Sequence, residues 1–543
     1  MLKTVNIIIL LILSLLVSSC AQSEQVEKRS FTVLAINDVY RIDPLHDGEI
    51  GGFARFKTLR DQLAQDDPGL ITLHGGDFLS PSILGQRYEG EQIVDIMNQI
   101  NGDAETFDER FFVVPGNHEF DKAGDEGVNW FRKRVGESNF WWITSNINWH
   151  DSTHPEIIDG FEHVITHKII EANGVKVGIF GLTLNRDKTK YAPIDENYVA
   201  IAKTMSQTLR DNGAEVVIGL THLALDSDVD ILNILGEQGP DIIFGGHEHD
   251  AMAIKANERW LLKADSDLIS ANVAVISLEN GEISVAFENI EINQNTAEDP
   301  VLKTSVDNWL NRYYSDECGA PSGEVCKTVS YGHTNVELDF DNGKSRLFET
   351  NLGNWLADTM KYAFANSAHA QIAFINSGAI RRNENIAAGS SITEALVNEL
   401  LPYDPKLYLI EITGRELKDI VRHSASNWGG NGYWLQISGF AFRVTGDETS
   451  AVMIMEGDKL RPVEDDEVIR AVTVGYLLNT EGPQDGYKML NQSHVVETRH
   501  NGVKLHEFIR EFLLEQGEHG ISPTVEGRIC TNHRQQPCLL DNN

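Results

Sequence analysis

Basic side chains are scarce in this chain: 45 Lys and Arg stand against 81 Asp and Glu, a formal net charge of −36. A surface of that sign excludes non-specific binding to nucleic-acid polymers, which needs a basic footprint. It also repels anionic ligands unless metal ions or clustered arginines invert the sign locally. Cysteine is sparse too, five in 543 residues, at spacings that make a poor zinc-site pattern. Internal repeats and low-complexity tracts are lacking. What is present, 41% apolar and 23% charged residues, is the composition of soluble globular protein, and the length asks for at least two large domains.

The first twenty residues read as a targeting segment. Lys3 opens a short positive region, and Val5–Val17 is apolar except for Asn6 and Ser14. The run is too short and wrongly flanked for a membrane span. "LVSSC" at 16–20 resembles the lipobox of bacterial lipoproteins, which implies a signal peptide over 1–20 and lipidation of Cys20. An ordinary signal peptide cut nearby is the alternative. Ala21 resembles the outer-membrane sorting pattern, so the expected location is exported and lipid-anchored, at the periplasmic face of the outer membrane or the cell surface. Residues 21–29 form a polar tether. The remaining cysteines, Cys318, Cys326, Cys530 and Cys538, fall into two local pairs that an exported protein can oxidise.

From 31 to 290 strand-like and helix-like segments alternate. Strands are expected at 31–36, 70–73, 111–114, 175–182, 215–220 and 241–244, with helical spacings such as Phe53, Phe56, Leu59, Leu63 between them. That alternation implies an α/β fold with helices packed on buried sheets. Residues 291–330 read as a linker helix, 331–527 as a second α/β domain, and 528–543 as a tail.

Five of these strands end in chemistry. Asn37-Asp38, Gly75-Gly76-Asp77, Gly116-Asn117-His118, Thr221-His222 and Gly245-Gly246-His247-Glu248-His249 each follow an apolar run. The C-terminal strand ends of an α/β sheet share one crevice, so the fold would deliver these residues to one place. Carboxylates, an amide carbonyl and imidazoles suit a divalent-metal centre, and the glycines let the backbone approach it.

These motifs, in this order, resemble the calcineurin-like metallophosphoesterases, and the whole mature chain resembles the 5′-nucleotidase family. The resemblance implies a four-layer αββα metallophosphoesterase sandwich over 31–290, joined by a linker helix to a substrate-binding domain. It implies two divalent ions (Zn, Mn, Co or Fe): Asp77 bridging, Asp38 and His249 on the first, Asn117, His222 and His247 on the second. His118 and Asp121 take the positions of the catalytic pair, with hydroxide shared between the ions as attacking group. Arg346, Asn376 and Arg381 take those of phosphate and nucleoside ligands, and Trp434 and Tyr487 those of two rings that stack on a base. The implied substrate is a nucleotide, most simply a nucleoside 5′-monophosphate, and no protein partner is implied. Nucleotide-sugars, 2′,3′-cyclic nucleotides, another ester, or nucleotide binding without catalysis are the alternatives.

One position departs from the pattern. The family has Asp-x-His where this chain has Asp38-Val39-Tyr40. Three readings stay open: a phenolate on a harder metal, a ring that lines a site with one ligand fewer, or a weak first site. His46 and His74 are possible substitutes.

Overall fold

The computed structural model describes residues 28–542, apart from 46–47, 81, 186–189, 319–329, 341, 383, 404, 427–430, 447, 458, 480–483, 499 and 533–536. The signal segment, Cys20, His46 and the Cys318–Cys326 pairing lie outside the described residues.

The first lobe is built on two sheets. β1 (Arg29–Ile36), β2 (Ile71–His74), β3 (Asp108–Val113), β4 (Phe140–Ile143) and β5 (Val164–Ile165) run parallel in that order. The second sheet holds β6 (His167–Ala172), β7 (Val175–Thr183), β8 (Val216–His222), β9 (Ile242–Gly245), β10 (Met252–Ala256) and β11 (Arg259–Lys263), in the order 10-11-9-8-7-6. The hairpin of β12 (Ser270–Glu279) and β13 (Glu282–Glu291) returns to the first sheet beside β1.

Alternation within each strand explains the layering. On β1, Phe31, Val33 and Ala35 enter the core between the sheets, whereas Leu34 and Ile36 enter the core under the outer helices. On β8, Val216, Ile218 and Leu220 face the first sheet, and Val217 faces the other way. A strand buried on both faces reads as a continuous apolar run because its period-two side chains all find a core. Helices α1 (Phe53–Asp66), α2 (Glu91–Asn98) and α3 (Gly124–Glu137) cover the first sheet; α4 (Tyr198–Asp211) and α5 (Leu225–Leu235) cover the second. The expected four-layer αββα sandwich is therefore the observed fold.

Helix α6 (Pro300–Cys318) is not a free connector. Leu302, Val306 and Tyr313 join the first lobe's core, and Trp309 Nε1 donates to Asp95 (2.7 Å). The second lobe centres on a four-stranded sheet, Leu407–Thr413, Val468–Val474, Ile372–Asn376 and Leu435–Ser438, against the helix Asn351–Ala368. The segment expected as a tail is partly structural: Ile529–Thr531 pairs in parallel with Phe440–Thr445, and Cys530 and Cys538 form a disulfide. Ile529, fully buried, explains why the chain returns to the core there.

Candidate metal centre

Three of the five strand ends, those of β1, β2 and β9, turn sharply to present their side chains. Asp38, Asp77, His247 and His249 all have positive φ, at 53°, 59°, 89° and 66°. Such conformations cost of order 1–3 kcal/mol each in a non-glycine residue and persist only where the surroundings over-determine them. Here they do. Asp38 N donates to Gly76 O (2.9 Å), His247 N to Asp38 Oδ2 (2.8 Å), and Ser266 N to His249 O (3.0 Å). The adjoining glycines make room: a Cβ on Gly116 would lie 2.2 Å from Asp77 Oδ1, and one on Gly246 would lie 2.4 Å from Gly75 O.

The turns bring the donors together in a buried cluster. Asp38, Asp77 and His222 offer ligand atoms within 4.8 Å of one another. His222 Nε2 stands 3.2 Å from Asp77 Oδ2, and His249 Nε2 stands 3.2 Å from Asp38 Oδ1. The His247 ring is 5.3 Å from that of His222. Asn117 is 2% exposed, and neither of its amide atoms has a hydrogen-bond partner. Burial raises both carboxyls, but contact with imidazoles outweighs it and holds Asp38 and Asp77 below the usual carboxylate range. His222 feels the converse: burial lowers it, and Asp77 more than compensates, to about 9. Two buried carboxylates thus demand positive charge. A hard cation among oxygen and imidazole donors meets that demand and also engages the orphaned Asn117, so the residues present fit the divalent metals that the fold implies.

Tyr40 reaches into this cluster. Its Oη lies 3.0 Å from His249 Nε2 and 3.3 Å from both Asp38 Oδ1 and Asp77 Oδ2. Burial, then the Asp77 and Asp38 carboxylates, push the phenol well above its usual range. His74 is buried below; its Nδ1 accepts from Gly76 N (3.1 Å), and burial lowers it to about 3.

His118 and Asp121 sit at the rim. Asp121 Oδ2 is 2.7 Å from His118 Nδ1, which leaves Nε2 facing Asp77 Oδ2 at 3.9 Å. From the second lobe, Arg346 and Arg381 bear electrostatically on both Tyr40 and His249. Asn376 Nδ2 donates to Asp485 (2.9 Å), and its Oδ1 is buried without a hydrogen-bond partner.

The expectation for Trp434 and Tyr487 is corrected. Both are core residues, 1% and 0% exposed, and a base cannot stack on a covered ring. Trp434 Nε1 donates to Phe348 O (3.2 Å), and the Tyr487 hydroxyl donates to Tyr433 O. Accessible rings in this lobe include Tyr433 and Tyr403, both half-buried, and Tyr476, 39% exposed.

Sequence reasoning missed two supports. Glu119, fully buried, accepts from the backbone N–H groups of Asp77, Phe78, Leu79 and Gly116. Lys263, 1% exposed, donates to Leu223 O and Gly246 O and pairs with Asp228 and Glu248, pinning the β8 and β9 ends. Glu119 lies inside the strand-end motif at 111–121; nothing local marks Lys263.

A two-sheet sandwich with this donor set at its strand ends defines a metallophosphoesterase, a class of phosphohydrolase. The calcineurin-like phosphoesterase family model matches residues 31–251, and that of the 5′-nucleotidase C-terminal domain matches 330–492. The chain belongs to the 5′-nucleotidase family. It is 25% identical to the trifunctional nucleotide phosphoesterase YfkN of Bacillus subtilis, over 92% of this chain and 34% of that one. It therefore spans about a third of that relative's length. It is 23% identical to the 5′-nucleotidase of Rattus norvegicus, over 92% and 90% of the two chains. The solved structure of a 5′-nucleotidase precursor from Thermus thermophilus superposes with a TM-score of 0.78 at 21% identity, covering 93% of this chain and all of that one, a likeness of fold.

Proposed function

We propose that the protein hydrolyses nucleotides, most simply a nucleoside 5′-monophosphate to nucleoside and phosphate. Two divalent cations would be held by Asp38, Asp77, Asn117, His222, His247 and His249. The observation that carries this reading is the buried Asp38–Asp77–His222 cluster, with the second lobe's Arg346 and Arg381 bearing on it. When bound, paired cations activate water and neutralise charge on the entering and leaving oxygens. Arg381 and Arg346 supply the local positive charge that an acidic protein needs to hold a phosphate. His118, oriented by Asp121 through Nδ1, presents Nε2 to hydrogen-bond the phosphate or protonate the leaving oxygen. Asn376 and Asp485 offer polar groups to a sugar. In this reading the stacking role passes from Trp434 and Tyr487 to Tyr433 and Tyr476.

Turnover of AMP, UDP-glucose and 2′,3′-cyclic AMP, measured with Zn, Mn, Co or Fe added to chelator-treated protein, tests this. AMP should be the best substrate, and Asp77→Ala should abolish its turnover. Nucleotide binding without turnover under every metal would overturn the hydrolytic reading.

The same proposal puts the protein outside the cytoplasm, tethered by acyl chains on Cys20. Among the described residues no helix is long and apolar enough to cross a membrane. The intact mass of the mature N-terminus decides it: a diacylglyceryl adduct on Cys20 supports the anchor, and an unmodified terminus removes it.

A further inference from the structure

The two halves of the donor set differ in how far their atoms are already satisfied. In the half made by Asp77, Asn117, His222 and His247, both amide atoms of Asn117 are buried without a hydrogen-bond partner. His222 Nε2 there touches Asp77 Oδ2 at 3.2 Å but makes no hydrogen bond. In the half made by Asp38, Asp77 and His249, the space between the side chains is filled. Tyr40 Oη lies 3.0–3.3 Å from an atom of each of the three. His249 Nε2 stands 3.2 Å from Asp38 Oδ1, just as His222 Nε2 does from Asp77 Oδ2, so the two halves differ in Tyr40 and Asn117. Tyr40 is fixed there by more than its hydroxyl. Its backbone N–H donates to the buried Asp267 carboxylate (2.9 Å), and its ring packs against His249, with centroids 5.4 Å apart. A cation entering the first half engages the Asn117 amide and His222 Nε2, which otherwise have no hydrogen-bond partner. A cation entering the second must displace a hydroxyl that stands within 3.3 Å of all three side chains.

We propose that the centre binds its two cations unequally, one tightly at Asp77, Asn117, His222 and His247, the other weakly at Asp38, Asp77 and His249, and that Tyr40 sets the difference. This rests on the two-cation reading above and deepens it. The chain would then be a one-ion protein at low free metal and a two-ion protein only at high free metal.

The test is metal stoichiometry, not rate. Chelator-stripped full-length protein is equilibrated with Mn²⁺ or Zn²⁺ by dialysis, and bound metal is counted by mass spectrometry. The wild type should retain one ion and take the second about tenfold or more weaker. Tyr40→His should raise the weak site about tenfold and leave the tight one within about threefold, whereas Asn117→Ala should weaken the tight site by about tenfold or more. Absorbance near 295 nm of the wild type during loading needs no variant, and it should show no tyrosinate band. Two ions of equal affinity in the wild type, a Tyr40→His protein with an unchanged gap, or a tyrosinate band on loading would each overturn this inference and leave the hydrolase reading standing. A wild type that binds no ion at all would remove both.

Discussion

One carboxylate, Glu119, ties the loop that supplies Asp77 to the loop that supplies Asn117. Its Oε1 accepts from Phe78 N (2.8 Å) and Leu79 N (3.0 Å), its Oε2 from Asp77 N (2.9 Å) and Gly116 N (2.5 Å). Burial and the Asp77 charge push it up to about 7, against the pull of those donors. Glu119→Gln keeps the volume but turns one acceptor into an NH₂, so two buried N–H groups face a donor. The expected cost is of order 3 kcal/mol, read as a lower urea midpoint, with weaker metal binding alongside. A midpoint at the wild-type value would take that role away. Asp267 gives the pH counterpart. Its Oδ1 accepts from Tyr40 N (2.9 Å) and Arg41 N (3.2 Å), yet burial lifts it from 3.8 to about 6. A carboxyl raised in the folded state contributes stability that is full below pH ~4 and is lost as pH rises through ~6. Asp267→Asn keeps the accepting oxygen and removes the ionisation. In metal-free protein the variant should gain on the wild type by up to about 3 kcal/mol between pH 4 and 7, and hold a constant difference above. A difference that does not move with pH would show that Asp267 ionises freely.

At the level of elements, the strand ends are where the sequence is most legible. β1, β2, β3, β8 and β9 announce themselves because burial on both faces gives each an apolar run, and the polar residues that follow it stand out. Which face a ring occupies is harder to read. Tyr433 and Trp434 are neighbours at the entry to Leu435–Ser438, and a shift of one residue exchanges inside for outside. Family position picks Trp434, but the core takes it and leaves Tyr433 half-exposed. Helix α6 shows the same limit: its apolar residues are visible, but not that they cap the first lobe. Lys263 closes its network with Asp228 and Glu248 across 35 positions or fewer, with no local pattern to mark it. Two substitutions separate a turn that serves the site from one that serves only a helix. Gly116→Ala places a Cβ 2.2 Å from Asp77 Oδ1, and metal affinity and turnover should each fall about tenfold or more. Thr413→Ala removes one half of the capping box with Glu416 on helix Gly414–Ala425. It should cost about 1 kcal/mol in thermal or urea unfolding and leave kcat and KM unchanged. Kinetic loss in the cap variant, or none in the glycine variant, would reverse that assignment.

The whole molecule depends on two lobes meeting over one centre. Arg41, one residue past Tyr40, pairs with Asp43 (2.7 Å) in its own lobe and reaches Glu384 of the other (3.9 Å). Arg382 pairs with the same Glu384 (3.1 Å) and with Glu399. Arg381 feels Tyr40 and Asp121 of the first lobe and Tyr403 and Asp485 of its own, and its guanidinium lies 5.6 Å from the Tyr403 ring. This arrangement brings the Arg346 and Arg381 charges to bear on Tyr40 and His249. The Arg41–Glu384 contact is long, at 3.9 Å, between a guanidinium 21% exposed and a carboxylate 3% exposed. In the function proposed above, parting of the lobes would admit a nucleotide to the second lobe, and closing would bring its phosphate to the first. A photocleavable bis-maleimide joining Arg41→Cys to Glu384→Cys tests this on the full chain. Cross-linked protein should lose turnover about tenfold or more and recover it on illumination, and the same double variant without linker should turn over near the wild-type rate. Full activity with the lobes tied would mean that substrate reaches the centre without their separation, and the −36 charge of the chain would then have to be overcome at the rim by Arg346 and Arg381 alone.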